Sequence, residues 1–210
     1  MSKMTNMGID LNELLKLEGT ESPFVSFENR VDFDRAVNRE IFLGGIDEGT
    51  GSAIETLIRF WNDYDEKNDI PVEKRSPIKL YIDSPGGYLT ETFTIIDAIE
   101  LSKTPVWTIC IGSAYSGGFL TFLAGHRRIT YPRASFLFHE GATGTSGDAG
   151  KFRNYADFYN VQMEQLKDIV LKYTKYTEED YMGFKKDDLW LTANQAIEHG
   201  VADEIATKLY

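Results

Sequence analysis

Residues 78–123 read IKLYIDSPGGYLTETFTIIDAIELSKTPVWTICIGSAYSGGFLTFL, and the order of textures in this stretch decides the fold class. Ile78-Lys79-Leu80-Tyr81-Ile82 is β-branched and aromatic and stops at the tight turn Asp83-Ser84-Pro85-Gly86-Gly87, which is how a strand ends. Thr90 to Leu101 follows, with Phe93, Ile96 and Ala98 among its apolar residues, and reads as a helix. Val106 to Ile111 is apolar without alternation, as expected of a strand covered on both faces. Gly112 to Gly118 is a run of small residues that predicts a turn, leading into a helix through Leu123. Strand, helix, strand, helix in succession argue for an α/β class with crossover connections.

Working outward, Ile41-Phe42-Leu43-Gly44-Gly45 predicts a short buried strand, and residues 52–64 place Ile54, Leu57, Ile58 and Trp61 at helical spacing. Residues 65–77 are charged, contain two prolines and predict a surface loop. Toward the C-terminus, Arg128–Tyr131 and Ser135–His139 read as short strands, and 141–150 as a Gly/Ser/Thr-rich loop or hairpin. Phe152–Tyr173 predicts a long amphipathic helix. Thr177 and Thr192 are suited to cap two further helices, the second ending at Gly200, and a short strand near residue 204 closes the chain. Residues 1–30 are polar and irregular and read as an arm with one short helix, Asp10 to Leu17; residues 31–210 read as one domain.

The chain carries 22 Lys+Arg against 33 Asp+Glu, a net charge of −11, with no basic stripe. Nucleic acid and anionic membrane are therefore not expected partners, since both require clustered cations. The N-terminal MSKMTNMGIDLNELLKLEG lacks a signal-type apolar stretch, and no run is long enough to span a bilayer. The single cysteine, Cys110, lies in an apolar run and reads as a small buried hydrophobe. A soluble, unexported, cytoplasmic protein is the expectation.

Of the three histidines, His199 stands at a helix end and His126 in a turn before Arg127 and Arg128, both structural placements. His139 differs, because it ends the apolar strand Phe136-Leu137-Phe138 next to a glycine-rich loop, where α/β sites lie. Ser116 sits between a strand and a helix in Ala114-Tyr115-Ser116-Gly117-Gly118. Small neighbours permit the sharp turn of a nucleophile elbow, and the helix start offers N–H groups to an oxyanion; an ordinary N-cap serine is the plain alternative. The turn at Gly86-Gly87 follows the neighbouring strand, so its amides can face the same crevice. A Ser–His pair needs a carboxylate to hold the imidazole tautomer, and Asp148, Asp157, Asp180, Asp187 and Asp188 all remain open on these grounds.

Four ordered blocks resemble the ClpP type of serine peptidase. Ile82-Asp83-Ser84-Pro85-Gly86-Gly87 resembles its Ile-Asn-Ser-Pro-Gly-Gly, and Thr108 to Leu120 its nucleophile segment. Phe138-His139-Glu140 is similar to its Ile-His-Gln, and Asp188-Leu189-Trp190-Leu191-Thr192-Ala193 with Ala196 to Asp203 to its C-terminal block. The likeness runs from about residue 38 to the end. It implies a crotonase-like fold of stacked ββα units with a handle over about 141–174, Ser116 as nucleophile, His139 as base and Asp188 as orienter, with Asp187 as the fallback. It also implies an oxyanion hole from the amides of Gly87 and Gly117, and no metal or organic cofactor. Two heptameric rings stacked as a tetradecamer, polypeptide substrates added as a strand beside the Gly87 turn, and a Clp-type AAA+ ATPase are the implied partners.

The departures mark a divergent member. Asp83 replaces the usual Asn, Gly117 the usual Met, and Glu140-Gly141 the usual Gln-Pro. The loop before Ile78 is longer, and residues 1–30 do not resemble the family's axial segment, which counts against ATPase docking. A catalytically silent ring subunit and a crotonase-fold acyl-CoA enzyme are the competing readings.

Overall fold

The computed structural model describes residues 35, 37–141, 144, 148–184 and 187–210. The expected Asp10–Leu17 helix, the arm 1–30 and half of the 141–150 loop lie outside them.

The elements run β1 (Glu40–Leu43), α1 (Thr50–Lys67), a 3-10 turn at Val72–Lys74, β2 (Ile78–Ser84), α2 (Leu89–Leu101), β3 (Val106–Tyr115), α3 (Gly117–Leu123), β4 (Arg127–Thr130) and β5 (Ser135–Phe138). They continue with α4 (Ala149–Tyr173), α5 (Glu178–Phe184), β6 (Leu189–Thr192), α6 (Ala193–Glu198) and β7 (Glu204–Ile205). The α/β class expected from residues 78–123 is what forms. The described strands make one sheet of seven, with a main path β1-β2-β3-β4-β7 that is parallel throughout and β5 and β6 branching from it. β3 is long enough to fork. Trp107–Cys110 pair with β4, whereas Ser113–Tyr115 pair with β5, also in parallel.

Three local expectations change. α1 runs on to Lys67, because Asp65 is buried against Arg39 instead of starting a surface loop. β3 continues through Gly112–Tyr115, where a turn was expected. Asp83 makes this possible. Its Oδ1 accepts from Ser113 N at 2.9 Å and Ser113 Oγ at 2.8 Å, across an irregularity that sets Ser84 against Ala114. The third change is β6, an antiparallel partner of β5 that the sequence does not announce. Its four residues are too few to express a period of two.

The core lies between the sheet and its helices. Phe119 and Phe122 of α3 meet Phe138 and Phe136 of β5, with ring centroids 5.7 and 5.0 Å apart. All four rings are fully buried, each a burial of about 1.5–3 kcal/mol. This packing locks α3 onto β5, the two elements on which the candidate nucleophile and base depend. Tyr181 of α5 adds a third ring at 5.6 Å from Phe138. On the opposite sheet face Tyr81, Ile109, Ile129 and Ala206 form a smaller cluster, with Trp107 and Tyr210 packed against it. α4 buries only Met163, Leu166 and Val170, all in its second half, and leaves Phe152, Phe158 and Val161 exposed. No helix among the described residues is long and apolar enough to cross a membrane.

Candidate active site

Ser116 joins β3 to α3 with φ 53° and ψ −120°, a left-handed conformation that costs a non-glycine residue free energy. It is the N-cap of α3, yet its side chain makes no capping hydrogen bond. The plain N-cap reading therefore fails on geometry: the hydroxyl is not spent on the helix. The backbone is held firmly instead. Ser116 N donates to Leu137 O at 2.8 Å, and Ser116 O accepts from Phe119 N and Leu120 N at 3.0 and 3.2 Å.

The glycine turn after β2 lies directly against this elbow. Gly86 has φ 90°, and a Cβ there would fall 2.7 Å from both Ser116 Cβ and Tyr115 O, so only glycine allows the approach. Gly87 has φ 156°, and a Cβ there would overlap the Ile46 carbonyl. Among the backbone hydrogen bonds of the described residues, the Gly86 carbonyl accepts from Ile46 N at 3.0 Å, while neither Gly87 N nor Gly117 N donates. Two N–H groups from separate elements are thus left over beside one hydroxyl, an arrangement able to hold a developing oxyanion.

His139 is half-buried and follows β5 directly, at the same end of the sheet. The β5–β6 ladder pairs Phe138 with Leu189. The ladder ends there: His139 directly follows it on the β5 side and Asp188 directly precedes it on the β6 side, with Asp187 one residue further out. None of the hydrogen bonds among the described residues joins Ser116, His139 and Asp188 to one another. The other carboxylates have different tasks. Asp148 caps α4, its Oδ1 accepting from Gly150 N and Lys151 N at 2.9 and 3.0 Å. Asp180 accepts from Thr177 N and Oγ1 at 2.8 and 2.7 Å at the start of α5. Asp157 is exposed on α4.

The sequence matches the Clp protease family over residues 69–209, more than half of the 210. The chain belongs to the Clp protease family. Two of its departures from the ClpP pattern have physical accounts. Asp83 needs only one carboxylate oxygen to receive both Ser113 donors, a task an Asn carbonyl would share. Glu140 is anchored from two helices: Tyr181 Oη donates to its Oε1 at 3.1 Å, and Tyr159 Oη to its carbonyl at 3.2 Å. These tyrosines tether the residue after His139 and carry no motif that would announce them. A cleft of about 350 Å³ opens beside Glu140, lined by Tyr159, Val161, Met163 and Glu164 among others. A second cleft of about 350 Å³, between α2 and α4, contains none of the candidate residues.

The remaining candidates are structural, as their sequence context suggests. His126 Nδ1 accepts from Val106 N at 2.9 Å, and burial holds its pKa below the usual value despite the opposing pull of Glu100. His199 stacks on Tyr176 with centroids 4.9 Å apart. Cys110 is fully buried, and burial pushes its thiol up to about 12, far from a reactive thiolate.

Proposed function

We propose that this Clp protease family member is a serine endopeptidase with Ser116 as nucleophile, His139 as general base and Asp188 as the carboxylate that orients the imidazole. The observation that carries the reading is the strained Ser116 elbow, its hydroxyl unspent, lying against the Gly86-Gly87 turn. His139 takes the proton as Ser116 Oγ attacks a peptide carbonyl. The amides of Gly87 and Gly117 stabilise the resulting oxyanion, and the imidazolium returns the proton to the leaving amine. Water, deprotonated by the same histidine, then hydrolyses the ester and regenerates Ser116. The β5–β6 register favours Asp188 over Asp187 for the third role. No step calls for a metal or an organic cofactor.

The assembly belongs to the same reading. Two heptameric rings would meet through α4, whose first half exposes Phe152, Phe158 and Val161 with little of the chain's own core to cover them. Unfolded or short polypeptides would enter the closed chamber and add as a strand beside Gly87. A Clp-type AAA+ ATPase is the partner such a chamber would take.

The test is intact mass after incubation with a fluorophosphonate, on wild type and Ser116→Ala together. One adduct on the wild type alone, with peptide hydrolysis lost in Ser116→Ala by at least about 10³-fold and the oligomer preserved, is the expected result. Equal hydrolysis by the two proteins would sink the assignment. Ring formation without labelling or hydrolysis would favour the silent-subunit reading.

A further inference from the structure

The turn bearing Gly87 and the helix start bearing Gly117 belong to different elements, yet the same two residues grip both. Ile46, between β1 and α1, is fully buried. Its N–H donates to Gly86 O at 3.0 Å, and its carbonyl accepts from Tyr88 N at 2.9 Å, so its backbone brackets Gly87. Its Cδ1 would lie 3.2 Å from a Cβ placed on Gly117. Thr92, on the first turn of α2, is fully buried as well. Its hydroxyl donates to Tyr88 O at 3.0 Å, and a Cβ on Gly117 would overlap that same oxygen. The three atoms nearest to that point all belong to Thr92 and Ile46.

We infer that Ile46 and Thr92 form a clamp that sets the separation of the two oxyanion donors, which makes Thr92 a positioning residue; the inference rests on the peptidase reading above. An oxyanion hole works only when its donors are held to within about 0.5 Å of the productive geometry. A glycine at the first position of a helix holds itself poorly, because it has no side chain to pack and more backbone freedom than any other residue. Thr92 supplies the constraint from outside. Its hydrogen bond ties the turn after Gly87, and its oxygen packs on the Cα of Gly117. The clamp also accounts for glycine at 117, where the ClpP pattern has methionine: the room a side chain would need is filled by Thr92 and Ile46.

Three variants test the clamp. Thr92→Val keeps the shape and removes the hydroxyl, Gly117→Ala adds the overlapping Cβ, and Gly117→Ala with Thr92→Ala removes the oxygen it meets. For each, kcat and KM on a fluorogenic peptide, affinity for a peptide boronate, fluorophosphonate labelling rate and thermal midpoint are measured. Thr92→Val should lower kcat and boronate affinity together by about tenfold with KM within about twofold, the mark of an interaction felt in the transition state. Gly117→Ala should lose about 10²-fold in kcat, and the double variant should recover about tenfold of it. Wild-type kcat in Thr92→Val, a loss shared equally by KM and thermal midpoint, or a double variant no better than Gly117→Ala would each overturn the clamp. Failure of the wild type to label at Ser116 would instead remove the peptidase reading, and the clamp with it. A labelled wild type with unresponsive variants removes the clamp alone.

Discussion

Arg39 and Ser116 stand at opposite ends of the parallel sheet, and both hold a non-glycine backbone at positive φ, 59° and 53°. At the N-terminal end the distortion is embedded in a satisfied network. The Arg39 guanidinium grips buried Asp65 through two hydrogen bonds of 2.6 and 2.7 Å and donates to Ser76 O at 3.0 Å. It also lies 4.3 Å over the Trp61 ring, while Thr104 Oγ1 donates to the same carboxylate at 2.8 Å. At the C-terminal end Ser116 Oγ caps nothing, and the amides of Gly87 and Gly117 donate to no backbone carbonyl among the described residues. One end uses its polar groups on the fold, and the other keeps them available. That contrast, more than charge or exposure, is what the proposed active site rests on.

The sharpest way to break the comparison is at the carboxylates, to which the proposed function gives opposite duties at the two ends. Asp188→Asn should cost about 10³–10⁴-fold in kcat, because the amide can no longer enforce the imidazole tautomer, and it should leave the thermal midpoint nearly unchanged. Asp187→Asn should stay within about twofold of wild type on the same peptide assay, since Asp187 lies one residue further from the β5–β6 ladder than Asp188. A reversed pair of results would move the third role to Asp187 and with it the end of the β5–β6 ladder.

Asp65→Ala should do the opposite, costing about 3–5 kcal/mol of stability by leaving Arg39 buried without its counter-ion. The folded fraction should label at the wild-type rate in the fluorophosphonate assay. The pH dependence has a definite sign. Burial alone would raise the Asp65 carboxyl, but hydrogen bonds from Arg39 and Thr104 and the Arg39 charge outweigh it and hold the group below its ordinary value. A carboxyl lowered in the folded state adds stability in full above its unfolded value of about 3.9, and that increment is lost as pH falls through the folded value. Unfolding curves of wild type and Asp65→Ala should therefore approach one another in acid. A gap that stays constant with pH would mean the carboxylate is not what ties the network.

What could be read without coordinates follows from how far each signal reaches. The β2–turn–α2 and β3–α3 units announce themselves within ten to twenty residues, through apolar runs stopped by glycine. Ser116 and the Gly86-Gly87 turn were legible as candidates for the same reason. That they face one crevice was legible as well, from the successive strands they follow; how tightly they approach was not, for it takes the folded turn to leave no room for a Cβ between Gly86 and Ser116. The choice among acidic residues was partly hidden: Asp180 three residues after Thr177 is a capping pattern, whereas Asp188 is singled out only by the family resemblance, because β6, the strand it precedes, is too short to declare itself. Thr92 gives no sign at all in sequence. It sits on the buried face of a helix like any core threonine, and its meaning comes from a glycine on another element. The Arg39–Asp65 pair is invisible for a like reason, its partners lying 26 residues apart.

The smallest expected effect tests the strain itself. Ser116→Gly should remove a backbone cost of about 1–3 kcal/mol, less about 0.5–1 kcal/mol for the extra freedom glycine gives the unfolded chain, for a net gain near 1 kcal/mol. In a chain of this size that raises the thermal midpoint by about 2–4 °C. Ser116→Ala keeps a Cβ at the same φ and ψ, so it should lose the hydroxyl without the gain. Arg39→Gly relieves a similar φ but dissolves the ion pair, and its midpoint should fall. Matching midpoints for Ser116→Gly and Ser116→Ala would show that the elbow stores no strain. The contrast between the two ends would then rest on their hydrogen bonds alone.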